Sequence, residues 1–131
     1  MDFFVLIARI LFSAIFLASG MGHMTNTAQM AEYAGSKNVP APKLAVFLSG
    51  VMIFLGGISI ILGFWVNIGA WLIIVFLLPT AFIMHNFWTV EDPMDRQNEQ
   101  IHFMKDIALA GAAFLIWYLY VTMGHVPFSL G

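Results

Sequence analysis

Residues 44–66 read Leu-Ala-Val-Phe-Leu-Ser-Gly-Val-Met-Ile-Phe-Leu-Gly-Gly-Ile-Ser-Ile-Ile-Leu-Gly-Phe-Trp-Val, without a single charge. A bilayer crossing needs about 20 consecutive apolar residues, so this stretch is a transmembrane helix. Its glycines and serines are tolerated because lipid offers a helix no competing hydrogen-bond partners, and small residues let neighbouring backbones approach closely. The link Gly63-Phe64-Trp65-Val66-Asn67 is too short for anything but an antiparallel hairpin. It leads into a second apolar span over 68–88, where Pro79 predicts a kink. Upstream, 3–22 is apolar except for Arg9, Ser13 and Ser19. Downstream, 101–123 is a fourth span, which Gly124 breaks and His125-Val126-Pro127 follows as a solvated tail. The fold expected is all-α: an integral membrane four-helix bundle, up-down and antiparallel, forming one transmembrane domain over 1–131.

Composition agrees. Of 131 residues, 61% are hydrophobic and 9% charged, whereas soluble domains carry about 25% charged residues. A net charge of -2, with no basic patch, excludes nucleic acid as a partner. With no cysteine, disulfides, thiol redox chemistry and iron–sulfur clusters are excluded too. The start of the chain is acidic and aromatic rather than basic, so Ala18-Ser19-Gly20 reads as part of a retained span and not as a cleavage site. Between the first two spans, about 27–35 reads as a short surface helix, with Thr27 as its cap and Gly35 closing its end. Lys37, Lys43, Arg96 and Lys105 all fall on the side of this long link and of the acidic link 89–100. The positive-inside rule makes that side cytoplasmic.

Two constellations could carry chemistry. Ser13, Gly20 and His23 lie within about 40° of Arg9 on a helix of 100° per residue, forming a polar stripe. Arg9 within the span either reaches headgroups and backbone carbonyls or holds an anion or carbonyl. Ala14, Ala18 and Gly22 offer a second face of small residues for helix packing. The other constellation is a mouth. Topology brings His23, His85, Asn86, His102, Lys105 and Asp106 to one depth on one side. The (i, i+4) spacing of His102 and Asp106 allows a carboxylate–imidazole bond. Lys105 and Asp106, adjacent and about 100° apart, are not expected to neutralise each other. Three readings stand: interfacial polarity alone, a site for a quinone or lipid-like ligand, and a metal or haem site. The last lacks a compact ligand spacing such as His-x-x-x-His, and neither metal nor haem is expected. Without a Gly-x-Ser-x-Gly elbow, the serines read as packing residues.

Arg9 with Ser19-Gly20-Met21-Gly22-His23, Gly35 with Val39-Pro40, Gly56-Gly57 with Leu62-Gly63, His85-Asn86-Phe87-Trp88, and Gln100 through Leu109 together resemble the DoxX family of small four-helix membrane proteins. The resemblance runs from about Ile7 to Ala113. It implies a bundle in a prokaryotic cytoplasmic membrane, and relatives linked to thiosulfate:quinone oxidoreduction or to membrane complexes for oxidative-stress defence. This chain departs from the family pattern at His23, where lysine is common, at Ile53, where glutamate is frequent, and at Asp106, where asparagine is usual. A charge has in effect moved from the second span to the fourth. The expectation is an accessory or redox-linked subunit holding a quinone or similar amphiphile among Arg9, His23, His85, Asn86, His102, Lys105 and Asp106. The alternative is a non-enzymatic scaffold for another membrane or redox protein. Lipid is the certain partner, and homo-oligomerisation a further expectation.

Overall fold

The computed structural model describes residues 2–124 and 127–130; His125, expected to be solvated, lies outside them. Five helices follow in order: α1 Asp2–Thr25, α2 Thr27–Ser36, α3 Pro42–Leu62, α4 Val66–Met84 and α5 Pro93–Met123, with a single 3-10 turn at Phe87–Thr89. Four segments are long and apolar enough to cross a membrane: α1, α3, α5 and Val66–Thr89, which contains α4. The described residues form no strand. The fold is all-α, and large side chains such as Phe4, Leu11, Leu48, Val75 and Leu115 face outward, where lipid would cover them.

Several boundaries differ from the sequence reading, each for a local reason. α5 begins at Pro93 rather than near 101, because Asp92 accepts from the Asp95 backbone N–H at 3.0 Å and Pro93 occupies the first turn, a strong helix start. At 31 residues and 1.5 Å per residue, α5 outruns the roughly 30 Å hydrocarbon core. Its first turns therefore stand in water. α4 ends at Met84 instead of continuing to 88, with His85 leaving helical geometry at φ -117°. Thr27 does not cap α2; its hydroxyl donates to the His23 carbonyl at 2.6 Å and ties α2 to the end of α1. The α3–α4 hairpin turns through Gly63 (φ 68°) and Trp65 (φ 54°). Ser59 closes it by donating to the Phe64 carbonyl at 2.6 Å and the Trp65 carbonyl at 3.0 Å.

α1 packs on α3, α3 on α4 and α4 on α5. Phe16, Ile53, Ile60, Ile73, Leu77 and Ala113 share one buried core. The row curls, so that the His23 ring of α1 meets the Phe76 ring of α4 edge-on at 5.7 Å. The seam between α1 and α5 has no comparable helix packing. α1 and α3 cross at glycines: a Cβ added to Gly20 would sit 2.8 Å from the Gly50 carbonyl oxygen. The face expected to pack, Ala14-Ala18-Gly22, does not do so. Ala14 and Ala18 are exposed, and nothing lies within 4 Å of a Cβ at Gly22. The face turned inward is Arg9, Ser13, Phe16 and Gly20, because a charge left facing hydrocarbon costs more than a looser helix contact.

Candidate functional site

The mouth forms because three helices end or begin there and α2 lies across it. α2 packs Ala31 and Ala34 on Val46 of α3, with Met30, Val39 and Met84 alongside. On its other flank the Tyr33 hydroxyl approaches the Met84 carbonyl at 3.3 Å and Glu99 Oε1 at 3.4 Å. Lys37 Nζ donates to Asn86 Oδ1 at 2.7 Å. Beneath this strap is a cavity of about 540 Å3, a size typical of small-molecule sites. Its walls are apolar, with Ile15, Phe16, Met52, Phe76, Leu77 and Ile83 among them, and its polar end carries His23, His85, His102, Lys105 and Asp106.

Asp106 is 4% exposed. One carboxylate oxygen lies 3.7 Å from His85 Nε2 and the other 3.7 Å from Lys105 Nζ. The expected Asp106–His102 pairing is replaced by Asp106–His85: once α4 ends at Met84, the His85 ring swings between Glu99 and Asp106. His85 Nδ1 is 2.9 Å from Glu99 Oε2, and its ring stacks on His102 with centroids 5.1 Å apart. Lys105 and Asp106 do meet, contrary to the reading from helix angles, because the long lysine stem wraps around the helix. His23 Nδ1 is 2.7 Å from the Ser19 carbonyl. A carbonyl only accepts, so Nδ1 carries the proton and Nε2 is left for other partners.

Arg9 is not part of this mouth. Fourteen residues separate it from His23, about 21 Å along a helix. It sits at the other end of the bundle, donating from Nη2 to the Pro127 and Phe128 carbonyls at 2.7 and 2.8 Å. The tail is held there too by the Leu130 N–H donating to the Leu62 carbonyl at 2.8 Å. Asn86 is near the mouth but is engaged by Lys37 and does not line the cavity. Among the described residues, no group of three or more His, Cys, Asp or Glu is placed to hold a metal ion.

Glu99 and Tyr33 escaped the sequence reading. Glu99, His102 and Asp106 follow at steps of three and four, one helix face, a signal that appears once α5 is extended back to Pro93. Tyr33 on α2 and Lys37 just beyond its end are also four residues apart. Burial raises the Tyr33 hydroxyl above its ordinary pKa, and the Glu99 charge and hydrogen bond add to the rise.

A sequence profile of the DoxX family matches residues 4–86, more than half of the chain. The chain belongs to the DoxX family. This DoxX-family protein is 35% identical over 112 residues, 86% of its length and 79% of the relative's, to the inner membrane protein YphA of Escherichia coli (strain K12). It is 30% identical over 115 residues, 88% of its length and 82% of the relative's, to the inner membrane protein YqjF of the same organism. No solved structure matches it. Family and spans together make it a multi-pass membrane protein.

Proposed function

We propose that this protein holds a quinone, or a similar amphiphile, in the cavity beneath α2 and acts as an accessory or redox-linked membrane subunit. The observation that carries the reading is the cavity's lining: mostly apolar side chains joined by three imidazoles, a lysine and a buried carboxylate. That is the shape of a ligand with a hydrocarbon tail and a carbonyl or hydroxyl head. The loosely packed seam between α1 and α5 gives such a tail a route from lipid. His102 and His85 are the donors nearest the head, and Lys105 is the group to stabilise negative charge on it. We place the mouth on the cytoplasmic side of an inner membrane. Lys37, Lys43, Arg96 and Lys105 stand at that end against Arg9 at the other, and both relatives are named inner membrane proteins.

The test is a binding titration of decylubiquinone against the full chain in detergent. Saturable binding that His102→Ala weakens by about tenfold or more, the loss of one to two good hydrogen bonds, supports the reading. Binding that is absent, or indifferent to His102→Ala and Asp106→Asn alike, removes it and leaves a scaffold role.

A further inference from the structure

Glu99, His85 and Asp106 form a line from water into the cavity. The Glu99 and His85 side chains are comparably exposed, at 22% and 20%, and Asp106 is 6% exposed, so His85 joins a partly wetted carboxylate to a buried one. Each ring nitrogen of His85 faces one of them: Nδ1 is 2.9 Å from Glu99 Oε2, and Nε2 is 3.7 Å from Asp106 Oδ2. An ionised carboxylate only accepts, so Nδ1 carries a proton toward Glu99. Nε2 then faces Asp106. A bare lone pair there, opposite a carboxylate, would be repulsive, so a proton belongs between them, on Nε2 or on Asp106. At 3.7 Å the pair is not yet hydrogen-bonded, so transfer requires a side-chain movement that brings the two atoms to the roughly 2.7–3.2 Å of a hydrogen bond.

We propose that these three residues are a proton relay between the aqueous surface and the cavity, with Glu99 as its outer terminus. Outward, the Asp106 O–H bond breaks as a proton joins His85 Nε2. The Nδ1–H bond breaks as its proton joins Glu99, which releases it to water. All electron pairs stay on the atoms that lose protons, the ring ends as its other tautomer, and inward transfer is the reverse. The groups facing the path are Lys105 at 3.7 Å from Asp106, His102 stacked on His85, and from α2 Tyr33 at 3.4 Å from Glu99. Lys37, just after α2, is held by Asn86. His23 of α1 lines the same cavity. The use of the relay, moving a proton to or from a bound head group, rests on the ligand reading above, but its operation does not.

The experiment therefore needs no ligand. The full chain in lipid vesicles is given a pH jump, and the Asp106 carboxyl band, identified by its loss in Asp106→Asn, is followed by time-resolved infrared spectroscopy. Glu99→Gln keeps an oxygen to accept from His85 and Tyr33 but has no carboxyl to exchange. It is expected to slow the response by on the order of 10²-fold, the scale of a positioned proton-transfer group. His85→Gln should slow it similarly, and Glu99→Asp should recover part of the rate. An equal rate in wild type, Glu99→Gln and His85→Gln overturns the relay, as does an Asp106 band that never follows pH. Absent decylubiquinone binding beside an intact, Glu99-dependent response would sink the ligand reading and spare the relay.

Discussion

Arg9 is 5% exposed, and its Nε and Nη1, with the fully buried Ser13 hydroxyl, find no hydrogen-bond partner among the described residues. Its hold comes from Nη2, which donates to two tail carbonyls at once from a position one bond beyond where a lysine nitrogen would end. Gly63 belongs to the same arrangement, since a Cβ there would lie 2.7 Å from Arg9 Nη1. Arg9→Lys should therefore cost about 1–3 kcal/mol, because the shorter side chain stops short of the tail carbonyls and weakens two charge-assisted bonds to buried acceptors. The readout is a lower Tm in detergent together with faster protease cleavage between 127 and 130. Unchanged Tm and cleavage would show that the tail is held by something other than this residue.

At the scale of the element, α1 and α3 are set against each other by glycines with no room for a methyl group. Gly20→Ala pushes a Cβ onto the Gly50 carbonyl oxygen, and Gly50→Ala pushes one to 2.5 Å from the His23 Cβ. Overpacking of this kind costs about 1–3 kcal/mol, whereas Gly22→Ala, with open space around it, should be tolerated. Thermal unfolding of the three variants checks the order. α2 behaves as a strap whose free edge is held by Tyr33 and Lys37, and its pH dependence has a definite sign. Tyr33 has its pKa raised in the folded protein, by burial first and then by Glu99. Its contribution is thus fully present below the ordinary tyrosine value near 10 and is lost as pH rises through the higher folded value. A tyrosinate absorbance titration of wild type minus Tyr33→Phe should place this hydroxyl above free tyrosine, and Glu99→Gln should bring it part of the way down. A Tyr33 component titrating at or below free tyrosine would mean that α2 is not held against Glu99.

Across the whole molecule, the bundle was legible because lipid imposes long apolar runs, and nothing in 44–66 or 101–123 reads otherwise. Which face of α1 turns inward was less legible. Small residues and the polar stripe both make plausible inner faces, and burial of Arg9 and Ser13 decided between them. The gathering of His23, His85, His102, Lys105 and Asp106 followed from topology. Their partners did not, since the His85–Asp106 pairing depends on α4 ending at Met84, and Glu99 enters only because Asp92 and Pro93 start α5 early. Arg9 was drawn into the expected site by its charge, although 21 Å or so of helix separates it from the mouth.

An amphiphile held in the cavity under α2, as proposed above, can be sought directly. Lipid extraction with mass spectrometry of the full chain, purified in mild detergent, tests for it without assuming what the ligand is. A Ser49→Trp variant, which fills the chamber from α3, is compared in parallel. A quinone or similar amphiphile should be retained near one per chain by the wild type and lost from the variant. Extracts that contain only bulk membrane lipid, or a retained amphiphile equally abundant in both proteins, would contradict the proposal.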